Sequence, residues 1–272
     1  MRSKGTYLAA RSRMTRITLS SKEMWAKGYS GSLGPPSYAD PNTRCGAFEL
    51  ISVFRRFLEP GNGKRLLEMG CGGSKYLPWL AREMGFQVEG IDYTTEGCEL
   101  AKRNLEAAGV AGNIHCLDFL SLGPEFAGRF DVVTSYGVLE HFAEPVNVLK
   151  AFVDCIRPGG TLVSFVPNMQ GAGGRLVKRV NRSLYETHYL FDLSKFREFH
   201  VQAGMTVVHC RYSEFCDFGL VPFGKFGRGT ELICKNIAHY LNRARLVAIR
   251  RFPSIDPQSP LLCSGMIVVA IK

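Results

Sequence analysis

Three carboxylates, a glycine-rich turn and two histidines are the residues of this chain best suited to chemistry. Glu68 lies two residues before Gly70 in the run Arg65-Leu-Leu-Glu-Met-Gly-Cys-Gly-Gly-Ser74, and Asp92 follows Gly72 by 20 residues. Glycines between a strand and a helix let backbone approach a bulky ligand closely. A carboxylate closing the next strand can accept hydrogen bonds from both hydroxyls of a ribose. The pattern reads as a nucleoside site, and taken alone it fits a tight strand–helix turn equally well. Asp118 follows a third apolar segment, and His141 and His188 are groups that titrate near neutrality.

The turn departs from a dinucleotide fingerprint. That motif asks for G-x-G-x-x-G around a pyrophosphate, and its third glycine position here is Lys75. Glu68 points the same way, because a carboxylate beside a pyrophosphate is repelled at low effective dielectric. Next to a ligand carrying an ammonium and a sulfonium, the same carboxylate is favourable.

These residues need a scaffold, and the pattern supplies one. Phe48 to Leu58 recur at helical spacing and stop at Pro60-Gly61. From there, strands predicted at 65–69, 87–91, 113–117, 131–136 and 161–166 alternate with helices at 74–83, 95–108 and 145–156. Such alternation predicts a parallel sheet covered on both faces. After Pro167 a glycine-rich link (Gly171, Gly173, Gly174) leads to a helix at 194–203 and to further strands at 206–212 and 266–271. Between those strands lies an aromatic stretch (Phe215, Phe218, Leu220, Val221, Phe223, Phe226), then a basic helix near 230–248. The expected division is a basic N-terminal arm and loop over 1–44 and a catalytic domain over 45–272, with an acceptor-cap insertion at about 213–262.

Five segments in this order resemble a known family: Glu-Met-Gly-Cys-Gly-Gly (68–73), Gly-Ile-Asp (90–92), Leu-Asp-Phe (117–119), the run from Phe130 to Phe142 and Arg-Pro-Gly-Gly-Thr-Leu (157–162). They look like the ordered motifs of class I S-adenosylmethionine-dependent methyltransferases, in a flavour similar to the ubiquinone and menaquinone enzymes. The resemblance covers residues 45 to 212 and the last strand. It implies an α/β, Rossmann-like, seven-stranded and mostly parallel sheet whose last strand is antiparallel. It implies S-adenosyl-L-methionine as cofactor and S-adenosyl-L-homocysteine as product. Gly70 and Gly72 would cradle the methionine portion, with Glu68 beside it, and Asp92 would hold the ribose. Asp118 and Phe119 would flank the adenine, backbone at Ser135 and Tyr136 would meet the methionine end, and Tyr93 would pack on the ribose or adenine or cap the sheet. His141 and His188 are the candidate catalytic bases for a small, largely apolar acceptor, with O-methylation expected. Trp25, Tyr29 and Arg44 are placed to close over the cofactor. His115, His200 and His209 fall within elements and read as packing residues.

Bulk properties bound the partners. The 272 residues carry a net charge of +10 and nine cysteines without C-x-x-C spacing, so neither a disulfide framework nor a metal site is expected. The charge is uneven: residues 1–27 hold seven basic residues against Glu23, and residues 224–251 hold seven against Glu231, whereas 64–157 is net acidic. Such arms suit an anionic partner, whether a membrane surface, a nucleic acid such as RNA, or an acidic substrate. A methyltransferase for RNA or another macromolecule, using the basic arms, and a non-catalytic cofactor-binding relative are the competing readings. No apolar run reaches the roughly 20 residues that span a bilayer, and a cytoplasmic, at most membrane-peripheral, location is expected.

Overall fold

The computed structural model describes residues 18–30, 36–215, 217, 219, 221, 228–252 and 258–272. The chain runs through α1 (Lys22–Ser30), α2 (Cys45–Phe57), β1 (Arg65–Met69), α3 (Tyr76–Met84), β2 (Gln87–Asp92), α4 (Thr95–Ala107), β3 (Gly112–Cys116) and β4 (Phe130–Tyr136). It continues through α5 (Pro145–Cys155), β5 (Ile156–Pro167), α6 (Ala172–Val180), α7 (Arg182–Glu186), α8 (Leu193–Gln202), β6 (Thr206–Phe215), α9 (Arg228–Arg251) and β7 (Cys263–Ile271). The seven strands form one sheet in the order β3-β2-β1-β4-β5-β7-β6, and β7 runs antiparallel to both its neighbours. The sheet is therefore the one that the motif order implies.

Apolar residues on both faces of the parallel strands explain the layering. Leu66 and Leu67 point to opposite faces and both are fully buried. One face packs Leu66 and Val88 against Leu50 and Phe54 of α2, Trp79 and Leu80 of α3 and Leu105 of α4. The other packs Leu67, Phe130 and Val133 against Phe152 of α5 and Phe196 of α8. No disulfide joins the described cysteines.

Two features differ from the sequence expectation, and part of a third segment lies outside the described residues. The link at 171–174 opens a helix, α6, and glycine is what lets it pack: a Cβ on Gly174 would lie 2.1 Å from the Met169 carbonyl oxygen. Val177 on this helix buries itself with Met169 and Val221 in a small satellite core. Within the expected arm, residues 22–30 form α1, while the first 17 residues lie outside those described. Of the aromatic stretch, Phe218, Leu220, Phe223 and Phe226 also lie outside them.

The basic helix α9 docks on α2 through a polar inner face. Asn242 accepts from the Cys45 N–H at 3.0 Å, Arg245 pairs with Glu49, and Arg250 donates to the Pro41 carbonyl at 2.9 Å. Leu246 is the buried apolar contact on this face. Glu49 also accepts from the Ser213 hydroxyl at 2.8 Å and from the Glu214 N–H at 2.6 Å, which ties the end of β6 to α9.

Candidate active site

The register of the sheet assembles the site. Met69 pairs with Ile91 on β2 and with Ser135 on β4, so Gly70, Asp92 and Tyr136 leave the sheet at one level. That level is the carboxyl edge of the parallel strands, where open α/β sheets bind ligands. A cavity of about 700 Å³ opens there and continues to the ends of β5 and β6. Gly70, Gly72, Asp92, Tyr93, Phe119, Tyr136, His141 and His188 all line it.

At one end the turn closes around Asp92. Gly70 adopts φ +72°, a left-handed conformation suited to glycine, and the N–H groups of Gly70 and Cys71 both bond the Ile91 carbonyl. The Gly72 N–H donates to Asp92 Oδ2 at 2.9 Å, and Thr94 donates to Oδ1 through its N–H at 2.8 Å and its hydroxyl at 2.6 Å. Burial raises the Asp92 carboxyl, and these bonds oppose that rise. Tyr29 from α1 stands over the turn: a Cβ on Gly72 would lie 2.5 Å from the tyrosine and 2.7 Å from Asp92 Oδ2. Trp25 lies one turn earlier on the same helix, edge-on to His141 with ring centroids 4.9 Å apart. Trp25, Tyr29 and Arg44 all border the cavity.

Three of the sequence-derived residues do not reach the cavity wall. Glu68 is 2% exposed behind the turn, where its Oε2 accepts from the Ser74 hydroxyl at 2.8 Å. Ser74 Oγ in turn accepts from the N–H groups of Tyr76 and Leu77, so Glu68 orders the start of α3. Burial pushes the Glu68 carboxyl up to about 8. Asp118 caps the 3-10 turn 119–121, accepting from the Leu120 N–H at 3.1 Å. This places Phe119 on the cavity. Ser135 is buried within β4, and its backbone rather than its hydroxyl faces the neighbouring strands. His115, His200 and His209 lie away from the cavity: His115 pairs with Glu89, His200 bonds Ser164, and His209 packs on Phe57.

The other end of the cavity is apolar with two polar stations. Phe165, Met169, Val177 and Leu184 form walls. At the first station His141 and His188 face each other with ring centroids 4.7 Å apart. Each bonds a carbonyl oxygen through Nδ1, His141 to Thr187 and His188 to Leu184, both at 2.8 Å. A neutral ring that donates from Nδ1 leaves Nε2 as an acceptor. Burial, aided by His188, lowers His141 to about 4 and keeps it neutral. Glu140 brings a third potential ligand atom, and the three lie within 4.8 Å of one another. Its Oε2 has no hydrogen-bond partner among the described residues, and burial pushes its carboxyl up to about 8.

The second station, Glu214, escaped the sequence reading. It closes β6 with φ +59°, a conformation that non-glycine residues adopt when the surroundings enforce it. Here the Glu49 carboxylate does so by holding the Glu214 N–H. The side chain borders the cavity beside Asp217, and its Oε2 accepts from the Ser264 hydroxyl at 2.9 Å. A Cβ on Gly46 would lie 2.3 Å from Glu214 Oε1, so glycine there leaves room for the carboxylate. Burial, then Asp217, raises this carboxyl to about 7. No local motif marks the residue; it lies at the end of a strand whose extent only the fold defines.

Residues 67–164 match the family described as a methyltransferase domain. The matched segment runs from β1 into β5, and the sheet order is the one that the resemblance to class I S-adenosylmethionine-dependent methyltransferases implied. Among curated proteins it is similar to a ubiquinone biosynthesis O-methyltransferase of Ralstonia nicotianae, 33% identical over 125 residues that cover 44% of this chain and 52% of that protein. The same enzyme of Burkholderia thailandensis is 35% identical over 98 residues, covering 36% of this chain and 42% of the relative. The aligned stretch thus spans about half the length of these relatives. Among solved structures, the cyclase SpnF shares the fold at TM-score 0.62 and 19% identity, covering 95% of this chain and 97% of that one. A Haemonchus contortus phosphoethanolamine N-methyltransferase in complex with S-adenosylmethionine does so at TM-score 0.56 and 17% identity, covering 92% and 57%.

Proposed function

We propose that this protein transfers a methyl group from S-adenosylmethionine to a small, largely apolar acceptor, with oxygen as the methylated atom. The observation that carries the reading is the cavity, which joins the Gly70–Asp92 turn to an apolar pocket with two polar stations. Its volume of about 700 Å³ suits a bound molecule of drug-like size or larger. The chain's residues fit the donor. Gly72 lets the turn backbone approach Tyr29 and Asp92 closely, Asp92 borders the cavity with a carboxylate suited to a ribose diol, and Phe119 offers a ring to an adenine.

Bound there, S-adenosylmethionine supplies a methyl group already activated by its sulfonium. The chain then has to position an acceptor in line, which can contribute roughly 7–11 kcal/mol of barrier reduction. His141 and His188 present Nε2 acceptors that could take a hydroxyl proton, and their carbonyl partners fix both rings. Glu214 can orient or deprotonate the acceptor from the opposite wall. We infer that Asp217 and Gly219, which border the cavity from the expected insertion, belong to an acceptor cap. The O-methyltransferase relatives support oxygen as the methylated atom. The cyclase among the structural neighbours marks the alternative, since one fold hosts many reactions.

Calorimetric titration with S-adenosylhomocysteine tests the donor half, and one site per chain is the expected result. An absence of binding overturns the reading. Incubation with methyl-labelled donor and a panel of hydroxylated aromatics tests the acceptor half, with label expected in the methoxy product and its absence from the whole panel counting against an apolar hydroxyl acceptor.

A further inference from the structure

We propose that α9 lies in the plane of an anionic membrane surface, with its outward apolar stripe in the acyl boundary and the exposed Arg243 and Arg251 among the lipid phosphates. The helix has two unlike faces. Inward it carries Asn242, Arg245 and Leu246, already engaged with α2. Outward, Ile233, Ile237, Tyr240, Leu241 and Val247 recur at steps of three, four and seven. They are 61%, 55%, 70%, 47% and 67% exposed. At 1.5 Å per residue this stripe runs for about 20 Å along the helix. Soluble monomers rarely leave a continuous apolar band of that size in water.

Charge decides what covers it. From Arg228 to Arg251 the helix holds six basic residues against one acid, Glu231; Arg245 and Arg250 are engaged inward, while Arg243 and Arg251 are exposed to a partner. A second copy docked face to face would bring like charges together, which is costly. The chain's own first 27 residues, seven basic against one acidic, are repelled by the same helix. RNA would satisfy the cations and leave the stripe in water. An anionic bilayer satisfies both, as in amphipathic helices that lie along the interface. No described helix is long and apolar enough to cross a membrane, so contact is along the surface.

The inner face gives the contact a consequence for the site. Arg245 pairs with Glu49, and Glu49 holds the backbone of Glu214 on the cavity wall. A membrane-bound α9 therefore stands two side chains from the proposed acceptor station, where a bilayer-soluble acceptor would arrive. This last step rests on the proposed methyl transfer, whereas the surface stands without it.

Co-sedimentation of the full chain with phosphatidylcholine vesicles, with and without phosphatidylglycerol, tests the proposal. Binding to the anionic vesicles that weakens with salt is expected, with little binding to the neutral ones. Ile237→Asp with Tyr240→Asp should weaken vesicle binding about tenfold or more, while S-adenosylhomocysteine affinity, which reads the fold and the other site, stays unchanged. The proposal is overturned if the wild type fails to pellet with anionic vesicles or if the double variant pellets equally. A concentration-dependent dimer that the double variant abolishes would assign the stripe to a second copy and would also overturn it. Failure of S-adenosylhomocysteine to bind while vesicle binding persists would refute the methyl-transfer reading alone.

Discussion

Asp92→Asn probes the point where the fold and the donor site meet. In the native turn Oδ1 accepts two bonds from Thr94, and Oδ2 accepts one from Gly72 at 2.9 Å. Asparagine keeps a single carbonyl oxygen. Turned toward Thr94 it preserves two bonds, and its NH2 group then meets the Gly72 N–H, donor against donor. Losing one hydrogen bond to a charged group costs about 1.5–3 kcal/mol, and each kcal/mol lowers the melting temperature of a domain near this size by about 2–4 °C. A ribose diol loses its charged acceptor as well, a further ~1.5–3 kcal/mol, which is roughly a 10- to 150-fold weaker Kd. Scanning calorimetry reads the first effect and titration with S-adenosylhomocysteine the second. Thr94→Val is the control. It removes the hydroxyl that bonds Asp92 and caps α4 at Gly97, so it should lower stability while leaving the carboxylate and most of the affinity in place. Binding of S-adenosylhomocysteine by Asp92→Asn as tight as that of the wild type would show that the carboxylate does not hold the ribose.

Further perturbations address the other parts of the site. Glu214→Gln should keep S-adenosylhomocysteine binding and lower kcat by about tenfold or more, in the range of general acid–base contributions; unchanged turnover would remove Glu214 from the acceptor station. Tyr29→Ala uncovers Asp92, so stopped-flow measurements should show both association and dissociation of S-adenosylhomocysteine speeding up, and unaltered rates would show that α1 does not gate the turn. Glu140 is raised to about 8 by burial, so the folded state holds its proton where the unfolded chain, titrating near 4.5, releases it. Its contribution is therefore full below about 4.5 and is lost as pH rises through about 8, at up to about 1.4 kcal/mol per pH unit. In urea titrations Glu140→Gln should accordingly gain on the wild type between pH 5 and pH 8, and a constant difference would contradict the burial argument. Gly174→Ala drives a Cβ to 2.1 Å from the Met169 carbonyl and should cost about 1–3 kcal/mol in thermal unfolding; a neutral effect would mean that α6 shifts freely.

The sheet was legible in the sequence because its parallel strands are buried on both faces and so read as short apolar runs. β1 occupies Arg65–Met69 as expected, and β2 and β4 differ from expectation by one residue each. The meeting of the glycine turn with Asp92 was legible for a related reason: it depends on the local spacing of two adjacent strand ends. Glu68 shows the limit of such reasoning. Its type and position suit a cationic ligand, yet the pleat sends the side chain behind the turn to Ser74. α6 was hidden because glycine in a helix is disfavoured by propensity, and only the close approach to Met169 shows why it is there. Glu214 was hidden because its role depends on a left-handed backbone imposed by Glu49, which lies 165 residues away in sequence. The pairing of His141 with His188 across 47 residues of chain likewise emerges only when β4 and the segment after α7 meet.

Incubating the protein with methyl-labelled S-adenosylmethionine and a cell extract, then separating organic-soluble molecules, RNA and protein, shows which class of acceptor takes the methyl group. Label in the organic-soluble fraction, strongly reduced by Asp92→Asn and by Glu214→Gln, is the predicted result. Label confined to RNA or protein, or none in any fraction while S-adenosylhomocysteine binds tightly, would contradict it.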